Sequence, residues 1–337
     1  MTDARTPAKR PTIMEVARLA GVSHQTVSRY LRFNGGLKPA TRDRVDAAIK
    51  ELNYRPNLVA RSMRTKRSGR LAILMPTVSF SPARILAGAT EAAHAAGFVV
   101  EVVSIGGGAE ARSERLLELA ESSQLEGILS LAPILPSTEA ALPPTSAVVV
   151  SADFDDEMRG IGELADASPV ATMIEHLAEL GHRWFLHVAG AQSFASARGR
   201  KQTYLDTIER LGLESVGVVD GDWSGESGMR AILELDDRRR PTAVIAANDL
   251  VASGVIRGAI ERGWSVPDDL SVTGWDNNPV GMFLAPSLST VDIDLERLGR
   301  DAMTRLIAAV RGTSAETSPE PLHSIIWRES TGPAPQR

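Results

Sequence analysis

Between residues 12 and 53 the apolar residues recur at helical spacing. Ile13, Val16, Ala17 and Ala20 share one face of a first short helix. Thr12 and Glu15 have the spacing of a capping box at its start, and Gly21 suits its end, where a left-handed residue is needed. Ser23 caps a second helix predicted to run through residue 31, with Val27 and Leu31 turned inward. Only Gly21, Val22 and Ser23 separate the two helices, which is the spacing of a helix-turn-helix. A third helix is predicted over residues 40–53, with Val45, Ala48, Ile49 and Leu52 as its stripe and Pro39 in its first turn. Each is too short to be stable alone, so the three must share one core. Pro56 ends the third helix and opens a short segment to Arg64 that has little apolar surface, followed by a basic linker at 65–69.

From Leu71 the texture changes to short apolar runs alternating with amphipathic stretches. Strands are predicted at 71–76, 98–103, 127–131 and 147–150, and again at 184–188, 216–219, 243–246 and 271–273. Helices are predicted at 82–96, 112–124, 169–180, 198–211, 225–235 and 251–261. Strand–helix alternation means parallel sheets covered on both faces, and two such runs mean two doubly wound lobes. Ligands bind such sheets at the carboxyl ends of the strands, so a cleft between the lobes is the expected site.

Composition narrows the chemistry. Of 337 residues, 43% are hydrophobic and 23% charged, enough for several folded domains. No cysteine is present, which removes disulfides, thiolate zinc sites and thiol catalysis. Six scattered histidines predict no metal site. Gly106 to Gly108 lack the following Lys-Ser/Thr of a phosphate loop. Asp153, Asp155 and Asp156 read better as a solvated turn than as paired catalytic carboxylates. The expectation is therefore no enzyme and no cofactor. No apolar run approaches the roughly 20 residues of a membrane span, and the first ten residues are polar, so a cytoplasmic protein without export signal is expected.

Charge is unevenly placed. Residues 1–70 hold 16 Lys and Arg against 5 Asp and Glu, whereas the whole chain has a net charge of −5. A basic head on an acidic body points to a nucleic-acid-binding module joined to something else. In the second helix His24, Gln25 and Arg29 lie on the outer side, where Gln can fork to adenine and Arg to guanine. Ser23, Thr26 and Ser28 carry hydroxyls suited to phosphate oxygens. In the body Ser79 and Phe80, Arg200, Asp222 and Trp223, Asn248 and Asp249, and Asp276 follow strands. Arg forks to neighbouring hydroxyls, Asp accepts from them, Asn does both, and aromatic rings cover sugar faces. Asp222 and Asp249 also read as helix caps.

The runs Thr12-Ile13-Met14-Glu15-Val16-Ala17, Ala20-Gly21-Val22-Ser23-His24-Gln25-Thr26-Val27-Ser28-Arg29 and Glu51-Leu52-Asn53-Tyr54-Arg55-Pro56-Asn57 resemble the head of the LacI family of bacterial repressors. Leu180-Gly181-His182, Gly221-Asp222-Trp223-Ser224, Ala247-Asn248-Asp249 and Gly274-Trp275-Asp276 resemble its effector core, so the likeness covers about residues 11–330. The resemblance implies an all-α helix-turn-helix head, residues 1–55, and a hinge helix and linker, 56–70. It implies a two-lobed α/β periplasmic-binding-protein-like effector-binding and dimerisation core, 71–330, with a short tail, 331–337. It implies that Ser23, His24, Gln25, Thr26, Ser28 and Arg29 meet the major groove and its phosphates, that Asn57 and Ala60 contact DNA, and that Met63 and Arg64 meet the minor groove, Met63 standing where the family has a leucine wedge. Lys38 stands where a capping serine is usual. Phe80, Asp153, Arg200, Trp223, Asn248, Asp276 and Ile293 match effector-contacting positions; Ile293 replaces a polar residue there, and either Ser151 or Asp153 fills an acidic contact.

The expected function is repression by a homodimer bound to a double-stranded palindromic operator on the nucleoid, released by a small carbohydrate, a galactoside or related glycoside. The alternatives are a purine or other co-repressor acting on the same fold and, behind it, a solute-binding protein. Met282, Phe283 and Leu284 are candidates for the dimer surface, with core packing the favoured alternative for any one of them, and the tail from Thr331 shows no heptads for a tetramerising coiled coil.

Overall fold

The computed structural model describes residues 11–33, 37–54, 67–76, 82–122, 124–144, 146–157, 159–316 and 320–336. The chain divides into two compact units, Met1–Gly69 and Arg70–Arg337.

The first unit holds α1 (Ile13–Ala20), α2 (His24–Phe33) and α3 (Pro39–Glu51). The capping box forms: the Thr12 amide donates to Glu15 Oε2 at 2.6 Å and the Glu15 amide to Thr12 Oγ1 at 3.3 Å. Gly21 ends α1 at φ 63°. Ser23 Oγ accepts from the Thr26 amide at 3.1 Å and starts α2. α3 begins at Pro39 with no side-chain cap from Lys38. Val16, Ala17, Ala20, Val27, Tyr30, Val45, Ala48 and Tyr54 form the core. Tyr30 is buried more deeply than Leu31, which only flanks the core, and its hydroxyl donates to Asp46 Oδ1 at 2.5 Å, tying α2 to α3.

In the second unit, β1 (Arg70–Pro76), α4 (Ala83–Ala95), β2 (Val99–Ile105), α5 (Gly108–Glu121), β3 (Gly127–Ser130), α6 (Pro136–Ala141) and β4 (Ala147–Val150) build the first lobe. Its strands run parallel in the order β2-β1-β3-β4. Then α7 (Ser168–Glu179), β5 (Trp184–Val188), α8 (Ala195–Leu211), β6 (Glu214–Val219), α9 (Gly225–Leu233), β7 (Ala243–Ala246), α10 (Asp249–Glu261) and β8 (Ser271–Thr273) build the second, in the order β6-β5-β7-β8, again parallel. In both sheets the order reverses beside the first strand, the topological switch that opens a crevice at the strand ends.

Three elements lie outside the expected alternation. β9 (Thr290–Ile293) and β10 (His323–Ile326) pair antiparallel, and α11 (Leu295–Arg311) lies between them in sequence. α11 packs on α4, β3 and β4 of the first lobe. The Val272 amide donates to Ser330 O in the second lobe. The chain therefore crosses between the lobes after β4, again at β9 and back at β10. Past Ser330 the chain is still held by the second lobe, since the Ala334 amide donates to Leu180 O at 2.9 Å; the expected tail is docked there.

The aspartates of the 153–156 turn are engaged rather than merely solvated. Asp155 accepts from Arg159 Nε at 2.6 Å, and Asp156 accepts from Arg112 Nη2 at 2.5 Å. Arg112 is fully buried in the second turn of α5, which starts four residues ahead of the expected boundary, at two left-handed glycines.

Candidate functional site

On α2, His24, Gln25 and Arg29 are exposed while Val27 and Tyr30 face the core. The helix thus offers an outward polar face near its N-terminus, with no acidic residue in its first turn to repel phosphate. Ser23 Oγ serves as the helix cap and also lies 2.9 Å from Thr26 Oγ1. Thr26 and Ser28 are half-buried beside it. Asn57, Ala60, Met63 and Arg64 lie outside the described residues, as do Ser79 and Phe80.

The second lobe brings four of the expected effector residues together. Arg200, in the second turn of α8, is buried; its Nη1 donates to Ala247 O at 2.5 Å. Its guanidinium lies 3.8 Å from the ring centre of Trp275 and 5.9 Å from that of Trp223. Asn248 Nδ2 donates to Trp223 O at 3.4 Å, and Asn248 Oδ1 accepts from the Val251 amide at 2.8 Å. Asn248, not Asp249, is therefore the cap of α10. Asp249 turns inward instead, accepting from Thr290 Oγ1 at 2.6 Å and the Asn278 amide at 2.5 Å. Likewise Ser224, not Asp222, caps α9, and Asp222 braces Ser224.

Backbone strain marks the same place. Trp223 has φ 71°, and the consecutive Asp276 and Asn277 have φ 100° and 47°. Such non-glycine conformations cost energy and persist where the surroundings enforce them, often at ligand sites. The Trp223 ring lies so close over Gly190 that a Cβ there would come within 2.4 Å of it, so only glycine fits beneath the indole.

Burial pushes the Arg200 guanidinium down to about 10, while Asp276 pulls it back up. It stays charged at neutral pH. Desolvation pushes Asp276 up to about 6, helped by the like charge of Asp249 and opposed by Arg200 and Arg84. Solvent nevertheless reaches the Asp276 side chain. Asp276 therefore stands at a strand end, open to solvent and facing the Arg200 charge. With donors on Arg200 and both indoles and an acceptor on Asp276, the crevice suits a neutral ligand rich in hydroxyls.

The remaining expected positions are elsewhere. Asp153 lies on the first lobe, where its Oδ2 accepts from the buried Ser151 Oγ at 2.6 Å; among the described contacts nothing joins it to the four residues above. Ile293 is 9% exposed and belongs to the core, so its side chain offers the crevice no polar group. Leu284 packs against the second-lobe core and leaves the expected dimer surface, whereas Met282 and Phe283 remain exposed.

Sequence reasoning missed Trp275, Phe194 and His323. Trp275 sits beside Asp276 in a quoted motif and could have been found by position. Phe194 meets Trp223 edge to face at 5.3 Å and has Arg159 of the first lobe 5.6 Å from its ring centre. His323 has no local signal, because only strand register brings it to the crevice.

A DNA-reading helical head joined to a two-lobed ligand-binding core defines a class: regulators whose hold on DNA answers to a small molecule. A model of the bacterial regulatory proteins of the lacI family matches residues 12–57, and one of the periplasmic binding protein-like domain matches residues 174–331. The lactose operon repressor of Escherichia coli (strain K12) is 30% identical, covering 96% of this chain and 91% of that one. The HTH-type transcriptional repressor PurR of Serratia proteamaculans (strain 568) is 30% identical over 96% of this chain and 98% of that one. The crystal structure of the lac repressor dimer bound to operator and the anti-inducer ONPF is similar with a TM-score of 0.71 and 28% identity, covering 96% and 99% of the two chains. The chain belongs to the LacI family: it is a DNA-binding transcriptional regulator of the repressor type, not an enzyme, and its small molecule is an effector rather than a cofactor. Among the described residues no helix is long and apolar enough to cross a membrane, and no group of His, Asp and Glu is placed to hold a metal ion.

Proposed function

We propose that this regulator acts as a homodimeric, cytoplasmic repressor that grips a palindromic operator on the nucleoid and lets go when a small carbohydrate, a galactoside or related glycoside, enters the crevice. Residues 1–55 form the reading head, 56–70 the hinge, 71–330 the effector core and 331–337 the tail. His24, Gln25 and Arg29 read base edges, with Ser23, Thr26 and Ser28 against phosphates; Asn57 and Ala60 contact DNA, and Met63 and Arg64 enter the minor groove, Met63 as the wedge. A two-fold protein matches a two-fold site. Arg200, Trp223, Asn248 and Asp276 hold the sugar, with Phe80 and Asp153 closing on it from the first lobe.

The observation that carries the carbohydrate reading is the buried Arg200 guanidinium between two indoles, beside an Asp276 carboxylate that solvent reaches. Arginine and aspartate fork to neighbouring hydroxyls while indole faces cover sugar C–H groups. The aromatic surfaces also suit a purine, and the likeness to PurR favours that second reading.

The test is selection of the preferred DNA from a random pool, followed by titration with and without saccharides. A symmetric site whose affinity falls steeply with salt, and falls again with one saccharide, supports the proposal. Absence of any symmetric, salt-sensitive preference refutes it, and tightening of operator binding by a purine base, with no response to saccharides, replaces the sugar with a purine co-repressor.

A further inference from the structure

Buried polar atoms without partners are rare in folded proteins, and each one asks for an explanation. Three of them gather around one guanidinium. Trp223 Nε1, Trp275 Nε1 and His323 Nε2 are buried with no hydrogen-bond partner among the described residues. Trp223 and Trp275 both adjoin Arg200, and the His323 ring meets Trp275 edge-on with centres 5.5 Å apart.

Strand register explains how His323 arrives there. In the β9–β10 pair His323 stands directly opposite Ile293, and opposed residues of an antiparallel pair share one face. Ile293 gives that face only hydrocarbon, so the imidazole is its polar group. On that face the His323 ring meets Trp275 and feels the Arg200 charge, which places it beside the four site residues.

We propose that His323 is a ligand-contacting, specificity-determining residue of the crevice, pairing with the Trp275 indole N–H to take a single hydroxyl of the bound saccharide. A hydroxyl accepts through its oxygen and donates its proton, so one group satisfies an indole N–H and an unprotonated imidazole nitrogen together. Burial holds His323 below the usual histidine value, against the pull of Asp166, Glu163 and Asp292 and with the push of Arg200, so the ring is neutral at pH 7.5.

This inference rests on the carbohydrate reading, and the experiment separates the two. Calorimetric titration of the full chain at pH 7.5 uses lactose, isopropyl β-thiogalactoside, cellobiose and ribose as probes, with His323→Phe, His323→Gln and Arg200→Ala beside the wild type. For the best-bound probe, His323→Phe weakens affinity by about 5- to 20-fold, the range of one buried hydrogen bond. His323→Gln, which keeps a polar group, recovers most of it. One monodeoxy derivative of that probe loses affinity with the wild type but not with His323→Phe, a coincidence that a merely structural role does not produce. Affinity within 2-fold of wild type for His323→Phe, while Arg200→Ala weakens binding about 100-fold, overturns the role of His323 and leaves the carbohydrate reading standing. Should His323→Phe fail to fold, no deoxy position mattering to the wild type and an unaltered His323→Gln overturn it equally. A wild type that binds none of the four probes overturns the carbohydrate reading and this inference with it.

Discussion

Arg200 carries a full charge into a buried place, where two indole rings, a carbonyl and a neighbouring carboxylate answer it. Arg200→Ala is expected to leave operator affinity within about 2-fold and to weaken effector binding about 100-fold, the worth of two charge-assisted hydrogen bonds; parallel DNA and saccharide titrations check both numbers. His187 has the opposite role. It is fully buried, stacks on Tyr204 at 5.2 Å, and its Nδ1–H donates to Ile245 O at 2.8 Å. Burial pushes it down to about 4, with Arg200 and Lys201 adding to the effect. A base whose folded value is depressed contributes stability that is complete above its unfolded value of 6.5 and is lost as pH falls through 6.5 towards 4. The loss at acid pH is on the order of 3 kcal/mol. Urea unfolding at pH 7 and pH 4.5 should show His187→Phe losing less stability on acidification than the wild type. At this scale the sequence offered Arg200, Trp223, Asn248 and Asp276 because each follows a strand, where ligand residues concentrate. It misread Asp249 and Asp222 as caps, since an aspartate at a helix start looks the same whether it bonds the helix amides, turns inward as Asp249 does, or braces the true cap as Asp222 does.

Helix pairs hold the lobes together through glycines whose purpose is invisible in one dimension. In the second lobe α9 and α10 approach so closely that a Cβ on Gly254 would lie 1.8 Å from Gly225 O, and one on Gly228 2.1 Å from Val251 O. In the first lobe the same holds for α4 and α11, where a Cβ on Gly88 would lie 1.8 Å from Glu296 O. Gly254→Ala is expected to push the helices apart at a cost of about 1–3 kcal/mol, read as a lower urea midpoint with unchanged slope. The strands and most helices were legible to within a few residues, because parallel sheets force β-rich apolar runs between amphipathic helices. The antiparallel β9–β10 pair and α11 were not, because they break the alternation that made the rest readable.

For the whole molecule, the dimer surface proposed at Met282 and Phe283 can be tested directly. Val280, Met282 and Phe283 lie in a short 3-10 turn, Pro279–Phe283, with Phe283 82% exposed. The Asn278 amide anchors that turn to Asp249 at the start of α10, where Leu250 is also exposed. Phe283→Asp should shift sedimentation equilibrium towards monomer, with a dimer dissociation constant raised about 30-fold or more, the loss of a buried aromatic anchor. Operator affinity should fall with it, since two linked heads bind far more tightly than one.

The sequence by itself determined the local events: capped short helices, the three-residue turn, the charged head, and the strand–helix rhythm that commits the body to two parallel sheets. Each of these depends on residues close together in the chain, where propensity and periodicity act. Tertiary structure alone decided which of the polar residues after the strands meet at Arg200, which aspartates turn inward, and that His323 stands across from Ile293. Those outcomes are set by strand register and by the crossings between lobes, contacts between residues far apart in the chain that no local pattern encodes.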